Sequence, residues 1–344
     1  GPVGRVEAPS FPPGFDATVY NLLSPSGTIF ECEAGKRPET VKGPCPEVVQ
    51  RNPDWFICWS LEGSGPPKIF WPCPAEMMTQ EYISQPCWSN ASLVSTLTEN
   101  ARAVLRANPS TTMIVVDQMD GNQLPWLICP TDRAANARLN STGGAMFEAV
   151  NQVAAALESE FPTVTIMTEA YEASQFVPHS KFRFRPNVAV RVAMAAECHD
   201  GVPRSLPLTD PRNELWMERL RAWRRASRRV YTYIYAFREA YTLSPQPNYF
   251  LLAENIETMA DLGIVGWYGE GICCQKGAEM LELKTFLWAR KLFDPSLDTL
   301  NLTRKFLGGF YSAAAEQHLL SYLLTLDGAM RARGEYPPGA GRNN

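Results

Sequence analysis

The chain has 344 residues, 45% hydrophobic and 20% charged, and its 32 Lys and Arg against 36 Asp and Glu leave a net charge of −4. This is the composition of a globular protein long enough for two small domains or one large α/β barrel, which takes about 250 residues. The acidic balance argues against nucleic acid as a partner, and no apolar stretch approaches the roughly 18 residues that cross a bilayer, so no membrane span is expected.

Residues 1–15 are rich in Pro and Gly and lack a basic stretch followed by an apolar one, so they read as a linker or disordered segment with no signal or transit peptide. A single domain then spans 16–332. Within it, Pro, Gly, Trp and Cys crowd residues 24–90, which reads as a Cys-rich loop excursion with short strands at 55–59 and 69–71. Cys32, Cys45, Cys58, Cys73, Cys87 and Cys129 are spaced too widely for a zinc ribbon, leaving disulfides and buried thiols as alternatives. The total of nine Cys is odd, so at least one is free or paired outside the chain. Sequons at Asn90, Asn140 and Asn301 agree with a secreted or lumenal location.

From Ser92 the rhythm becomes regular. Leu93, Leu97, Ala101, Val104 and Leu105 repeat at helical spacing up to Asn108-Pro109, and 113–116 is a continuous apolar run, as a doubly buried strand requires. Met146, Val150, Val153 and Leu157 predict the next helix, followed by strands over 164–168 and 188–194. A helix over 215–225, a strand over 230–235, a helix over 253–262 and a strand over 264–267 continue the alternation. Helices over 278–292, 302–311 and 313–330 close it, and 333–344 reads as a disordered tail. Alternating strands and helices imply a parallel sheet. With no glycine-rich phosphate loop after an early strand, the fold class expected is an α/β (β/α)8 TIM-barrel-like architecture. Only about six core strands are legible, against the eight of a closed barrel, so it is expected to be incomplete at its N-terminal side.

Acidic residues follow four strands: Asp117 and Asp120, Glu169, Glu197 and Glu270. At the C-terminal ends of barrel strands such carboxylates converge and raise one another's pKa, which equips a site for glycoside hydrolysis. For each one alone, the bland alternative is a helix cap or a solvated side chain. Trp126, Tyr171, Tyr233, Tyr235, Trp267 and Tyr268 lie on or just past the same strand ends, where flat rings could pack on sugar faces, or else belong to the core. Asp117 and Glu169 join these aromatics as substrate-binding candidates. The three His, at 179, 199 and 318, lack the spacing of a ligand set, so no metal and no other cofactor is expected. Cys198 and His199 are adjacent on an extended segment and point to opposite sides, which disfavours a thiol nucleophile with its base. The run Arg219, Arg221, Arg224, Arg225, Arg228 and Arg229 reads as the solvated face of a helix.

The stretch Gly263-Ile-Val-Gly-Trp-Tyr-Gly-Glu-Gly271, then Gly277-Ala-Glu-Met-Leu-Glu-Leu-Lys284 and Trp288-Ala-Arg-Lys-Leu-Phe-Asp-Pro295, resembles the C-terminal signature of a mainly bacterial family long catalogued as a domain of unknown function. Part of that family is placed in glycoside hydrolase family 163. Asn52-Pro-Asp-Trp-Phe56, Val116-Asp-Gln-Met-Asp-Gly-Asn122, and Asn187-Val-Ala-Val-Arg191 followed by Glu197-Cys198 are similar to further motifs of it, in the same order, from about Ala17 to about Leu324. The resemblance implies a barrel glycosidase related to hexosaminidases, with members that act as endo-β-N-acetylglucosaminidases on N-glycans and retain configuration with help from the substrate's acetamido group. Asp120, Glu197 and Glu270 match its acids, with Glu197 or Asp120 as general acid and Glu270 as a sugar-binding or charge-stabilising group. The chain departs from the pattern at Thr232-Tyr233-Ile234-Tyr235, where the family's strand carries an Asp, at Met119, and at Ala17-Thr18. It also reads as starting at the third barrel strand. Glycan or glycoprotein is the partner this implies. A catalytically silent carbohydrate-binding or extracellular interaction protein is the alternative reading.

Overall fold

The computed structural model describes residues 31–32, 35–36, 46–60, 68–74, 83–118, 128–179, 181–194, 206–235, 245–270, 277 and 279–333. The chain divides into two compact units, 1–191 with 226–228, and 192–225 with 229–344. Both mix helices with parallel strands, so the fold is α/β.

In the first unit, a short pair, β1 Glu31–Cys32 with β2 Gly35–Lys36, and a helix, α1 Pro46–Arg51, precede a three-stranded antiparallel sheet. Its middle strand β3, Phe56–Ser60, lies between β4, Lys68–Phe70, and β5, Ile83–Pro86. A disulfide joins Cys58 of β3 to Cys73 just past β4, with the Cα atoms 5.2 Å apart. The two short strands expected at 55–59 and 69–71 are thus present as β3 and β4, and β5, α1 and turns add regular structure to what the composition read as a loop excursion. Helix α2, Ala91–Ala107, follows the predicted stripe: Leu93, Leu97, Ala101 and Leu105 are buried and Val104 is half-buried at its edge. Its N-cap is Asn90, whose side-chain oxygen accepts from the amides of Ser92 and Leu93 at 3.0 and 3.2 Å. Asn90→Ala leaves both amides without that acceptor and is expected to cost about 1 kcal/mol in urea unfolding.

Strands β6, Met113–Val115, β7, Thr165–Ala170, and β8, Val188–Ala193, follow in parallel order. Met113 faces Thr165 and Val115 faces Met167. The Ile166 amide donates to the Asn187 carbonyl, which sets Ile166 beside Val188. Between β6 and β7 run two helices, α3, Pro130–Leu139, and α4, Gly144–Leu157. The second matches its predicted stripe. The first escaped the periodicity because its buried positions are Asp132, Ala135 and Leu139, a charge and a small residue among three.

The second unit takes the last two residues of β8, then α5, Glu214–Ala226, up to Arg225, β9, Arg229–Tyr235, α6, Tyr249–Asp261, and β10, Gly266–Glu270. Helices α7, Leu281–Phe293, α8, Thr299–Phe310, and α9, Ala313–Arg333, complete it. Strand β10 starts two residues later than its apolar run. Gly263 adopts φ +74°, and the Ile264 amide reaches back to the Met259 carbonyl, so Ile264 closes helix α6 before the strand begins. Helix α9 runs past Met330 to Arg333, and Arg331 binds Glu254 at 2.7 and 3.1 Å and Asp327 at 2.7 Å. Arginines of α5 take structural partners: Arg219 lies over the Trp216 ring, Arg221 pairs with Glu214, and Arg224 donates to the Leu262 carbonyl. The fully buried Lys291 ammonium holds Glu257 and the Pro295 and Leu297 carbonyls, fastening the turn after α7. No helix among the described residues is long and apolar enough to cross a membrane.

Candidate functional site

Parallel register decides which side chains meet. The β6–β7 pairing, continued by the Val116 amide donating to the Met167 carbonyl, brings Asp117 level with Glu169. The β7–β8 pairing brings Glu169 level with Arg191. One row across the three strands therefore reads Asp117, Glu169, Arg191, while the alternate positions Val116, Thr168 and Val190 face the other way. The Arg191 Nε donates to Glu169 Oε1 at 3.0 Å, and its Nη2 lies 3.9 Å from Asp117 Oδ2.

The two carboxylates differ in environment. Asp117 is 1% exposed, and its Oδ1 has no hydrogen-bond partner among the described residues. Burial and, after it, the neighbouring Glu169 charge hold its pKa well above the usual carboxylate range, against the pull of Arg191. Arg191 gives its close contact to Glu169 and only the longer one to Asp117, so the two carboxyl groups sit in unequal surroundings. Gln118 follows, anchored by its Nε2 donating to the Tyr171 carbonyl at 3.0 Å. Tyr171 itself caps the short turn 172–174, its amide bonded to Ser174 Oγ at 3.0 Å. A small cleft in this unit is bordered by Trp88, Gln118, Asp132, Asn136, Thr142 and Ser174 among others. Its polar groups are largely engaged within the fold: Asp132 accepts from the Trp88 and Ser89 amides, and Asn136 binds the Ala145 amide and the Thr142 carbonyl.

In the second unit, β9 and β10 place Tyr233 beside Tyr268 and Tyr235 beside Glu270. The two rings stack at 4.9 Å and 24°, and Tyr268 is 52% exposed. The Tyr231 ring lies over Gly266, where a Cβ would come within 2.5 Å of it. Alternation sends Trp267 to the opposite face, where it packs edge-on against Trp288 of α7 at 5.4 Å. Trp267 is therefore separated from the tyrosine row. Tyr235 and Glu270 are described by strand position alone, and Asp120, Trp126 and Glu197 lie outside the described residues, as do Cys198 and His199. No group of three or more metal-ligating side chains occurs among the described residues.

Two charged groups were missed as site candidates. Arg191 is a lone charge inside an apolar strand, a position that demands a buried partner, and that signal was present in the sequence. Lys284, on the first turns of α7, is 1% exposed and pairs with Glu279 at 3.2 Å beside the Tyr249 ring. Burial lowers its pKa to about 8, partly opposed by Glu279. An apolar helix stripe gave no sign of it, because its position is one that Leu would normally fill.

No curated protein matches the chain. A family profile described as a domain of unknown function, DUF4838, matches residues 49–324, four-fifths of the length and both units. The chain belongs to that family.

Proposed function

We propose that the protein is a glycoside hydrolase acting on an N-acetylglucosamine-containing or related glycan, by a two-carboxylate, substrate-assisted mechanism that retains configuration. The observation that carries this reading is the Asp117–Glu169 pair, two carboxyl groups side by side at strand ends, the first buried with its pKa raised and the second bonded to Arg191. Glycosidic cleavage needs carboxyl groups in unequal surroundings, one to give a proton and another to stabilise positive charge, and buried strand-end acids make such surroundings. In this reading Asp117 and Glu169 set the charge balance at the strand ends of the first unit. Asp120 or Glu197 protonates the leaving oxygen, and Glu270 binds sugar. The exposed Tyr268 ring, backed by Tyr233, offers a flat apolar face to a sugar. The architecture proposed is a (β/α)8 barrel, which the parallel strands support in part. The Cys58–Cys73 disulfide supports a secreted or lumenal location.

The near-complete burial of Asp117 and its internal ion-pair neighbours also suits a silent carbohydrate-binding protein. Incubation of the full chain with a panel of N-glycans and aryl N-acetylglucosaminides separates the two. Turnover that is lost in Glu197→Gln and in Asp120→Asn is expected. Folded protein that binds glycans equally well with or without those acids, and turns none over, would overturn the enzyme reading in favour of the silent one. Absence of both binding and turnover would overturn both.

A further inference from the structure

We propose that Cys87 and Cys129 are an oxidation site, a thiol pair that closes to a disulfide and fastens the end of β5 to the start of α3. The argument is independent of any glycan chemistry. Both cysteines are free and buried, at 0% and 1% exposure. The two side chains pack in one cluster between the β3–β5 sheet and helix α3, with Ile57 as its third member.

Three features make this more than two apolar thiols filling a core. The first is scaffolding. Asp132, on the first turn of α3, accepts from the Trp88 amide at 3.0 Å and the Ser89 amide at 2.7 Å, so the backbone just after Cys87 is tied to the helix that Cys129 begins. Cys87 is held from its other side by its amide, which donates to the Trp55 carbonyl at 2.7 Å. The cost of bringing the sulfurs together has been met by the fold before any bond forms.

The second feature is asymmetry. Cys129 is the N-cap of a ten-residue helix, and its Sγ contacts Thr131 Oγ1 at 3.3 Å. The neighbouring Cys87 thiol lowers the Cys129 pKa, while burial and the Cys129 thiol raise that of Cys87. Asp132 opposes both thiolates with its charge. Burial pushes the Asp132 carboxyl up as well, and its two amide hydrogen bonds pull the other way. The place of Cys129 at the head of α3, beside Thr131, makes it the attacking sulfur and Cys87 the resolving one.

The third feature is precedent in the same sheet, where Cys58 and Cys73 are already bonded. With a glutathione-type disulfide as oxidant, the Cys129 thiolate attacks one sulfur, and the departing thiolate takes up the proton Cys129 released. Cys87 then gives up its proton and attacks the mixed disulfide at the Cys129 sulfur, expelling the second glutathione as thiol. Two protein thiols become one disulfide, and the oxidant gains two electrons and two protons.

Full-length chain equilibrated in glutathione buffers from reducing to oxidising, then acid-quenched, alkylated and mapped by mass spectrometry, tests this. The expected result is a cross-linked pair of peptides carrying Cys87 and Cys129 in oxidising buffer, with Tm higher by about 5 °C than after reduction. Cys87→Ser should leave Cys129 trapped as a glutathione adduct. Recovery of both as alkylated thiols in samples where Cys58–Cys73 is oxidised would overturn the proposal, as would either cysteine bonded to a third. The Cys58–Cys73 peptide serves as an internal control, so the mapping does not depend on the variant folding.

Discussion

Arg191→Met is expected to lower the unfolding free energy by about 3–5 kcal/mol at pH 7, because it removes the cation between two closely placed carboxyl groups while leaving both in place. Asp117 is buried beside Glu169, and the Arg191 guanidinium bonds the second and approaches the first. Without it, Glu169 loses its charge-assisted hydrogen bond, and Asp117 is driven further toward its neutral form.

Asp117→Asn provides the contrast. A folded pKa above the unfolded value of 3.8 means that Asp117 contributes its full share of stability below that value and loses it as pH rises toward the folded pKa. Asn resembles the protonated acid and does not titrate. The variant should therefore gain on the native chain with rising pH above about 4, by up to about 1.4 kcal/mol per pH unit, until the folded pKa is passed. Urea unfolding of the three proteins across this range measures both effects. An Arg191→Met penalty below about 1 kcal/mol would show that the guanidinium does not hold the row together, and an Asp117→Asn variant that falls behind as pH rises would show that Asp117 has no raised pKa.

Much of this row could be read from the sequence, for a definite reason. An apolar run such as Met113 to Val116 ends at the C-terminal end of its strand, so the first acids after such runs, Asp117 and later Glu169, mark the strand ends without any knowledge of partners. What sequence leaves open is register and parity. Trp267 and Tyr268 are neighbours and were grouped together, yet strand alternation puts them on opposite faces. Which face belongs to the tyrosines depends on Trp288 of α7, twenty residues on. The strand start at Gly266 was similarly masked. Ile264 and Val265 look like strand, but the left-handed Gly263 commits Ile264 to ending a helix. Helix α3 was hidden by chemistry, since its innermost polar residue, Asp132, is buried to clamp the amides of a distant turn and so breaks the apolar stripe.

Lys284 carries the second large effect, and it runs opposite in pH to Asp117. Burial lowers its folded pKa from 10.5 to about 8, so between those values the unfolded chain holds a proton that the folded chain has released. Stability must therefore rise with pH across that window, by a total of about 3 kcal/mol if nothing else titrates differently. Below about pH 8 the folded protein carries a desolvated ammonium, held by Glu279 at 3.2 Å and lying 5.8 Å from the Tyr249 ring. Lys284→Met should abolish the rise between pH 8 and 10. At pH 7 it should still cost about 2 kcal/mol, because Glu279 stays behind with its cation gone and only the Gln246 amide, at 3.4 Å, as a bonded partner in view. Adding Glu279→Gln removes that stranded charge and keeps an acceptor for the amide. The double variant should therefore recover most of the loss, since a neutral pair avoids the desolvation that the ion pair only partly offsets. A native stability curve that stays flat from pH 8 to 10 when referenced to Lys284→Met would refute the buried, proton-releasing lysine. A double variant no better than the single one would instead place the cost in lost packing of the lysine stem against Tyr249, leaving the charge of Glu279 without consequence.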